Sequence, residues 1–251
     1  MSITAIILTH NEASNIADCI RTVGFADEIL VVDDSSTDNT VDIATSEGAR
    51  VIHRTMNGNW GEQRNYALSQ ASCNTVFFLD ADERVTPKLS EEIQRTLASN
   101  QNCCIAMRRE NHFAEGAITH GILRPDLVTR IFPKDKGHYE GRVHEKLVCA
   151  IPTVELKAKL IHFPYSDWSH YWQKFDKYTD SSAKKYSESG KTCHFWRDIF
   201  FRPLWAFFKV YVFNLGFLDG KMGWIFSVNH YCYTMNKYVR LYSLQKHRGK
   251  I

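Results

Sequence analysis

The segment Thr75-Val76-Phe77-Phe78-Leu79-Asp80-Ala81-Asp82-Glu83 decides the fold class of this chain. Its apolar residues predict a short buried strand, and two acids follow where that strand ends. Because side chains alternate along an extended segment, Asp80 and Asp82 are expected to face the same side, with only the small Ala81 between them. Such a pair suits a hard divalent cation that also binds diphosphate oxygens. A solvated turn, where Asp is common, is the alternative that this segment leaves open.

Strands and helices alternate through the first hundred residues. Short apolar strands are predicted at Ile3 to Leu8, Glu28 to Val32 and Arg50 to His53, and each precedes a helix-like or loop-and-helix segment. This repetition is typical of a doubly wound α/β fold, which binds ligands at the carboxyl ends of its strands. We therefore expect a Rossmann-like, mostly parallel central sheet with flanking helices, and nucleotide binding within residues 1–100.

Polar residues stand at the predicted strand ends. The first strand runs into Thr9, Asn11 and Glu12, and the second runs into Asp33 and Asp34. Two adjacent acids repel each other unless a cation or hydrogen-bond donors meet them. These residues are therefore candidates for ligand binding.

Arg64 lies in the first turn of a helix predicted from Glu62 to Ser72. A cation is unfavourable near the positive end of the helix dipole, so an anionic ligand would explain it. An ordinary surface arginine is the alternative.

The periodicity weakens between residues 101 and 165, where short strands and polar loops are predicted. One loop, Glu140-Gly141-Arg142-Val143-His144-Glu145, places ionisable groups around a glycine. Glu145 can serve as a general base, and His144 as a metal ligand or a hydrogen-bonding neighbour. On residue type alone, a solvated loop is the better interpretation.

Charge and aromatic content divide the chain. Residues 1–165 carry 17 Lys and Arg against 22 Asp and Glu, whereas residues 166–251 carry 14 against 6. The second part also holds 22 of the 32 aromatic residues. Such a difference indicates different binding partners. We predict a catalytic domain in residues 1–165, with its acceptor side in 101–165, and a helical appendage in residues 166–251.

Cysteine content and hydropathy indicate a cytosolic setting. The seven cysteines include no Cys-x-x-Cys pair, which argues against a disulfide framework and a zinc site. Strand-like sequence begins at Ile3, so no secretory signal is expected. No apolar run has the roughly 18 to 20 residues that a membrane span needs.

The predicted appendage combines aromatic residues with scattered basic ones. Residues 202–213 read Arg-Pro-Leu-Trp-Ala-Phe-Phe-Lys-Val-Tyr-Val-Phe, and a second aromatic helix is predicted from Trp224 to Leu244. Such helices suit the headgroup region of a membrane, and positive charge favours an anionic surface. A hairpin packed on the catalytic domain or in a homo-oligomer is the alternative. No nucleic-acid partner is expected, because the basic residues are interspersed with large apolar ones.

Four motifs carry a family resemblance: Thr9-x-Asn11-Glu12, Val31-Val32-Asp33-Asp34-Ser35-Ser36-x-Asp38, Gly61-x-x-Arg64-Asn65 and Asp80-x-Asp82. In this order and spacing they resemble those of the family-2 glycosyltransferases of the GT-A fold, over residues 1 to about 145. Gly141-x-Val143-His144-Glu145, with Arg202-Pro203 and Asp219-Gly220, is similar to short lipopolysaccharide-core β-1,4-glucosyltransferases.

The resemblance implies a role for each of these positions. It assigns the nucleoside to Thr9, Asn11, Glu12, Asp33 and Asp34. Arg64 would lie near the diphosphate, Asp80 near the ribose and the metal, and Asp82 would coordinate Mg²⁺ or Mn²⁺. Glu145 is the candidate base, and Asp126 is the fallback because His144-Glu145 departs from the commoner Glu-Asp pair of the family.

The resemblance also implies an activity. It indicates an inverting bacterial transferase that moves glucose from UDP-glucose onto an inner-core heptose of lipopolysaccharide. The acceptor would be a lipid-anchored oligosaccharide at the cytoplasmic face of the inner membrane. Another lipid-linked or capsule acceptor is an alternative, and a membrane-associated nucleotide-sugar-binding scaffold is the non-enzymatic one. A nucleotidyltransferase is disfavoured, because residues 9–12 lack a glycine-rich phosphate loop.

Overall fold

The computed structural model describes residues 2–100, 102–113, 116–142 and 145–247. The chain divides into two compact units, the first comprising Met1–Glu110 and Asp126–His162 and the second comprising Asn111–Pro125 and Phe163–Ile251. The predicted division at residue 165 stays a prediction, and the structure also groups residues 111–125 with the C-terminal part.

A mixed β-sheet forms the centre of the first unit. The strands of the chain are β1 (Ile3–Thr9), β2 (Glu28–Asp33), β3 (Arg50–His53), β4 (Thr75–Asp80), β5 (Glu83–Val85), β6 (Cys104–Phe113), β7 (Gly116–Ile118), β8 (Asp126–Pro133), β9 (Gly137–Glu140), β10 (Lys146–Cys149) and β11 (Thr153–His162). The sheet order is β3-β2-β1-β4-β8-β6-β11-β5, parallel from β3 to β4 and antiparallel from β4 to β8 and β6. The strands β9 and β10 form a separate antiparallel ribbon.

Helices cover both faces of this sheet. The first unit contains α1 (Ile16–Thr22), α2 (Thr40–Ser46), α3 (Trp60–Gln70) and α4 (Pro87–Ser99). One buried cluster joins Ile7 and Phe77 of the strands to α1 and α4, and the other joins Ile6 and Phe78 to α3. Alternation along the strands produces the two clusters, and burying each large side chain contributes about 1.5–3 kcal/mol. The packed sheet therefore fixes the strand ends at its carboxyl edge.

The second unit is mainly helical. It contains α5 (Trp168–Glu188), α6 (Arg202–Phe208) and α7 (Gly220–His247), with π-helical turns at Phe195–Phe201 and Lys209–Phe213 and 3-10 turns at Gly121–Leu123 and Gly216–Asp219. An aromatic cluster of Phe113, Tyr171 and Phe226 packs at its centre. Across the residues that the structure describes, no helix is both long enough and apolar enough to cross a membrane.

The fold-class prediction is confirmed: the chain is α/β with a C-terminal helical region. The strands β1 to β4 lie where the apolar runs predicted them, within two residues. The helix α1 is shorter than predicted, beginning at Ile16 rather than Ala13. The reason is local, because the amides of Asn15 and Ile16 both donate to the carbonyl of Glu12 and hold the intervening residues in a turn.

Candidate active site

Thr9 and Asp33 lie side by side at the ends of two parallel strands. Thr9 of β1 is opposite Asp33 of β2, and the amide of Asp34 donates to the Thr9 carbonyl over 2.9 Å. Both side chains are buried, yet Thr9 Oγ1 and Asp33 Oδ1 have no hydrogen-bond partner within the described part of the chain. Leaving a buried acceptor unpaired is costly, so this pair fits a ligand that supplies N–H or O–H groups.

Asn11 and Glu12 form hydrogen bonds with the segment that follows β2, including the first residue of α2. The backbone amide of Asn11, a residue with φ of 55°, donates to Ser36 Oγ over 2.9 Å. The side-chain Oδ1 of Asn11 accepts from the backbone amide of Thr37 over 2.8 Å. The amide of Glu12 donates to Thr40 Oγ1 over 2.8 Å. The structure therefore brings all five predicted nucleoside residues to one edge of the sheet.

Asp80 ends β4 and is held by two buried arginines. Its Oδ1 accepts from Arg64 Nη2 over 3.2 Å, and its Oδ2 accepts from Arg130 Nη2 over 2.6 Å. Burial acts to raise the pKa of Asp80, but the charges of Arg130 and Arg64 outweigh it and hold that pKa well below its usual range. Asp80 is therefore a carboxylate whose two oxygens are both bound to arginine, and a metal bond to it would compete with these contacts.

A second acid, Glu83, lies behind Asp80 and is completely buried. It accepts from Arg130 Nη2 and, over 3.3 Å, from Arg109 Nη1. Burial raises the pKa of Glu83 above its ordinary value, although the charge of Arg130 opposes that rise. The sequence assigned no role to Glu83, Arg109 or Arg130. The available signal was a charge inside an apolar strand, which marks Arg130.

Asp82 lies apart from these arginines, beside His162 at the end of β11. Asp82 Oδ2 is 3.3 Å from His162 Nε2. A carboxylate and an imidazole are both ligands of divalent cations. Within the described residues no group of three or more His, Cys, Asp or Glu side chains could hold a metal, so substrate oxygens would have to complete the coordination. The sequence did not predict His162, and the predicted ligand His144 lies outside the described residues.

The motif Gly61-x-x-Arg64-Asn65 positions α3 against the segment that contains Glu145. A Cβ at Gly61 would lie 2.3 Å from the carbonyl oxygen of Gly141, so only glycine permits this approach. Asn65 Nδ2 donates to the carbonyl of Tyr139 and its Oδ1 accepts from the amide of Tyr139, both over 2.8 Å. Arg64 Nε then donates to Glu145 Oε1 over 3.0 Å. The three motif residues therefore fix α3, β9 and Glu145 together.

The two candidate bases differ in how their oxygens are used. Asp126 is bound by Arg109 at both oxygens, over 3.0 Å from Nε and 2.8 Å from Nη2. Glu145 is bound at Oε1 alone, and its Oε2 has no partner among the residues that the structure describes. An available carboxylate oxygen is what a general base requires, so the geometry favours Glu145.

Glu145 lines a cavity of about 490 Å³ in the first unit. The cavity brings together the arginines, acids and aromatic ring described above with part of β8 and β10; its lining residues are Arg64, Asp80, Arg109, Val128, Thr129, Arg130, Tyr139, Glu145, Lys146 and Leu147. Tyr139 is a buried lining residue, and burial raises its pKa to about 12, which keeps the phenol neutral.

The sequence profile of the family described as "Glycosyl transferase family 2" matches residues 4–153, which contain this cavity and the strand-end residues. The chain belongs to this family. Two sequence predictions are therefore confirmed, the family-2 glycosyltransferase class and the α/β fold. The roles of individual side chains stay predictions.

Two relatives match nearly all of this chain. The chain is 27% identical over 259 residues to "Lipopolysaccharide core biosynthesis glycosyltransferase LpsC" of Rhizobium meliloti, covering 100% of this chain and 94% of that protein. It is 28% identical over 258 residues to an "Uncharacterized glycosyltransferase" of Rickettsia bellii, covering 97% and 86%.

A solved structure matches part of this glycosyltransferase. Glucosyl-3-phosphoglycerate synthase from Mycobacterium tuberculosis, crystallised with Mn²⁺, UDP and phosphoglyceric acid, matches 44% of this chain and 43% of its own. The two are 24% identical, with a TM-score of 0.37.

Proposed function

We propose that this family-2 glycosyltransferase moves glucose from UDP-glucose onto an inner-core heptose of lipopolysaccharide, with inversion at the anomeric carbon. The observation that carries the proposal is the guanidinium of Arg64. It joins Asp80, at a strand end where α/β sheets bind ligands, to the cavity residue Glu145, whose Oε2 has no partner among the described residues. One side chain thereby brings the donor-side acid and the candidate base together.

Buried polar groups without partners among the described residues, at the carboxyl edge of the sheet and on Arg64, support a uridine diphosphate donor. Asp33 Oδ1 is a buried acceptor that the ring N–H of uracil would satisfy, and Thr9 Oγ1 beside it suits a second polar group of the nucleoside. Arg64 Nη1 is buried without a partner in the described residues, and a diphosphate oxygen would satisfy it. Donor binding would thus complete three unsatisfied groups of the site.

A divalent cation, Mg²⁺ or Mn²⁺, fits beside the diphosphate. Asp82, between β4 and β5, and His162, at the end of β11, would provide one oxygen and one nitrogen ligand, and Asp80 is the further predicted ligand. A bound cation supplies neutralisation of the negative charge that develops as a nucleoside diphosphate leaves.

Glu145 performs the acid–base step in this scheme. Its Oε2 takes the proton of the acceptor hydroxyl while the hydroxyl oxygen bonds to the anomeric carbon from the side opposite the leaving group. The bond between that carbon and the phosphate oxygen breaks, and both electrons leave with UDP. Arg64 holds Oε1 of the base, which fixes the direction of Oε2. A single displacement of this kind inverts the anomeric centre.

The lipid-linked acceptor and the membrane surface are supported by two observations. The relative LpsC, which matches this chain over 94% of its own length, is named for lipopolysaccharide core biosynthesis. In the second unit, residues 195–218 expose large aromatic side chains, among them Trp196 at 67% and Phe213 at 66%. The exposed cations Arg197 and Lys209 lie in the same segment. Aromatic rings with interspersed cations suit an anionic lipid interface, so we place the protein peripherally on the cytoplasmic face of the inner membrane.

The test is a transfer and donor-hydrolysis assay of the full chain with UDP-glucose, GDP-mannose and other nucleotide sugars, with Mg²⁺ or Mn²⁺ and extracted lipopolysaccharide acceptors. We expect turnover of UDP-glucose that Asp82→Ala abolishes. Asp135→Ala, which removes an exposed acid of the same unit outside the cavity, is the matched control and should retain full activity.

Two outcomes would redirect the proposal. Transfer only to another lipid-linked or capsule acceptor would correct the acceptor while keeping the reaction class. Binding of nucleotide sugars without turnover under any of these conditions would favour the scaffold interpretation.

A further inference from the structure

More cations than acids line the cavity. Four cations line it, namely Arg64, Arg109, Arg130 and Lys146, against two acids, Asp80 and Glu145. Asp126 and Glu83 are not among the lining residues, but they pair with two of these cations, Asp126 with Arg109 and Glu83 with both Arg109 and Arg130. Lys146 on β10 has no acidic partner among the residues that the structure describes.

Two of these cations have unsatisfied hydrogen-bonding capacity. The side chain of Arg130 is 8% exposed, and its Nε is buried without a partner among the described residues. Lys146, the first residue of β10, is exposed and makes no ion pair or hydrogen bond within those residues. A buried guanidinium N–H without an acceptor is costly, and an anionic oxygen is the acceptor that suits it best.

These two cations lie on other elements than the predicted donor contacts, although Arg130 and Arg64 share the Asp80 carboxylate. Thr9 and Asp33 lie at the ends of β1 and β2, and Arg64 lies on α3. Arg130 lies on β8, on the other side of β4, and Lys146 lies on the β9–β10 ribbon. The donor diphosphate already has Arg64 and the proposed cation as partners. Arg130 Nη2 is occupied by Asp80 and Glu83, but Arg130 Nε and the Lys146 ammonium have no partner among the described residues and are available to a second substrate.

We propose that Arg130 and Lys146 form an anion subsite for the acceptor, so that the acceptor carries a phosphate or a carboxylate close to its reacting hydroxyl. This inference rests on the proposed transferase function, since Glu145 in the same cavity defines where the hydroxyl lies. Thr129, beside Arg130 on the cavity wall, supplies a hydroxyl of the kind that accompanies Lys and Arg in anion sites. The subsite would select anionic acceptors and orient the hydroxyl toward Glu145 Oε2.

The test uses two small probes, methyl phosphate and acetate, titrated calorimetrically into the full chain saturated with UDP and Mg²⁺. We expect saturable binding of at least one probe, and the one that binds identifies the group as phosphate or carboxylate. Lys146→Gln should weaken this binding about fivefold, the scale of one charge-assisted contact. Lys136→Gln removes an exposed lysine of the same unit outside the cavity and should leave it unchanged.

Three results would overturn the subsite. One is the absence of binding by both probes, and another is equal binding by wild type and Lys146→Gln. The third is probe binding to the unloaded protein that saturation with UDP abolishes, which would assign these cations to the donor diphosphate. If UDP itself fails to bind, the proposed function fails separately, and the same titration of the unloaded protein still decides whether the anion subsite exists.

Discussion

Arg64 Nε donates to Glu145 Oε1 over 3.0 Å while Nη2 of the same guanidinium donates to Asp80 Oδ1 over 3.2 Å. A lysine has one ammonium on a flexible stem and cannot reproduce this fork. We expect Arg64→Lys to lower kcat/KM about 100-fold, equivalent to roughly 2.7 kcal/mol of transition-state stabilisation. Steady-state kinetics of the variant and the wild type measure this ratio of kcat/KM values. Arg54→Lys, whose arginine binds the Glu62 carbonyl, is the control and should change kcat/KM less than about threefold.

A second prediction distinguishes the two candidate bases. Glu145→Gln keeps the shape of the side chain but removes its ability to take a proton, so kcat should fall by about 10²–10⁴. Asp126→Asn alters a carboxylate already bound by Arg109 at both oxygens, and kcat should fall less than about tenfold. Single-turnover rates at saturating substrates compare the two directly. A larger loss for Asp126→Asn than for Glu145→Gln would reverse the assignment.

Gly61→Ala tests the close approach of α3 to the segment that contains Glu145. Alanine would normally favour a helix by up to about 1 kcal/mol, but its Cβ would lie 2.3 Å from the Gly141 carbonyl oxygen. Overpacking of this kind costs about 1–3 kcal/mol, so the net effect should be destabilising and kcat should fall as Glu145 moves. Urea unfolding and steady-state kinetics test both. The control is Gly24→Ala, where the nearest atom is 3.6 Å away and little change is expected.

The parallel half of the fold could be predicted because its signal is local. The apolar runs that form β1, β2 and β4, such as Ile3 to Leu8, are short, largely buried and end in polar residues, which determines the strands and places those polar residues at one edge of the sheet. The placement of Thr9 beside Asp33 follows from that topology alone. The sequence therefore anticipated that these strand-end residues would meet at one edge of the sheet, and their role in binding a donor stays a prediction.

The arginine network could not be predicted in the same way. Arg130 and Glu83 are 47 residues apart and meet only because β8 pairs antiparallel to β4, a pairing that no local pattern encodes. His162 lies beside Asp82 for the same reason, through the pairing of β11 with β5. Contacts that depend on strand order become visible only once the strands are assembled.

Glu28 makes the stability of the first unit depend on pH. Burial opposes its ionisation, but hydrogen bonds from Ser72, Thr4 and Arg50 lower its pKa from 4.5 to about 2. Because the folded pKa lies below the unfolded one, this stabilisation is complete above pH 4.5 and is lost as the pH falls toward 2. The shift corresponds to about 3 kcal/mol.

We therefore expect Glu28→Gln to lower the free energy of unfolding by about 2–3 kcal/mol at pH 7, and by about 1 kcal/mol at pH 3. Urea titrations at the two pH values measure the difference. Glu91→Gln, an exposed acid on α4, should have little effect at either. A deficit of equal size at both pH values would contradict the ionic origin of the stabilisation.

Trp205 and Phe213 test the membrane-surface interpretation of the second unit. Their rings lie 5.5 Å apart and are 59% and 66% exposed, so they form an apolar pair facing outward from residues 195–218. Replacing both with serine should weaken binding to phosphatidylglycerol vesicles at least about tenfold, because each buried aromatic ring contributes more than about 1 kcal/mol. Vesicle co-sedimentation measures the fraction of protein bound.

The control is Tyr178→Ser on α5, where the side chain is 51% exposed, and this variant should bind the vesicles as wild type does. Unchanged binding of the double variant, together with loss of a dimer in sedimentation equilibrium, would instead assign this surface to a homo-oligomer.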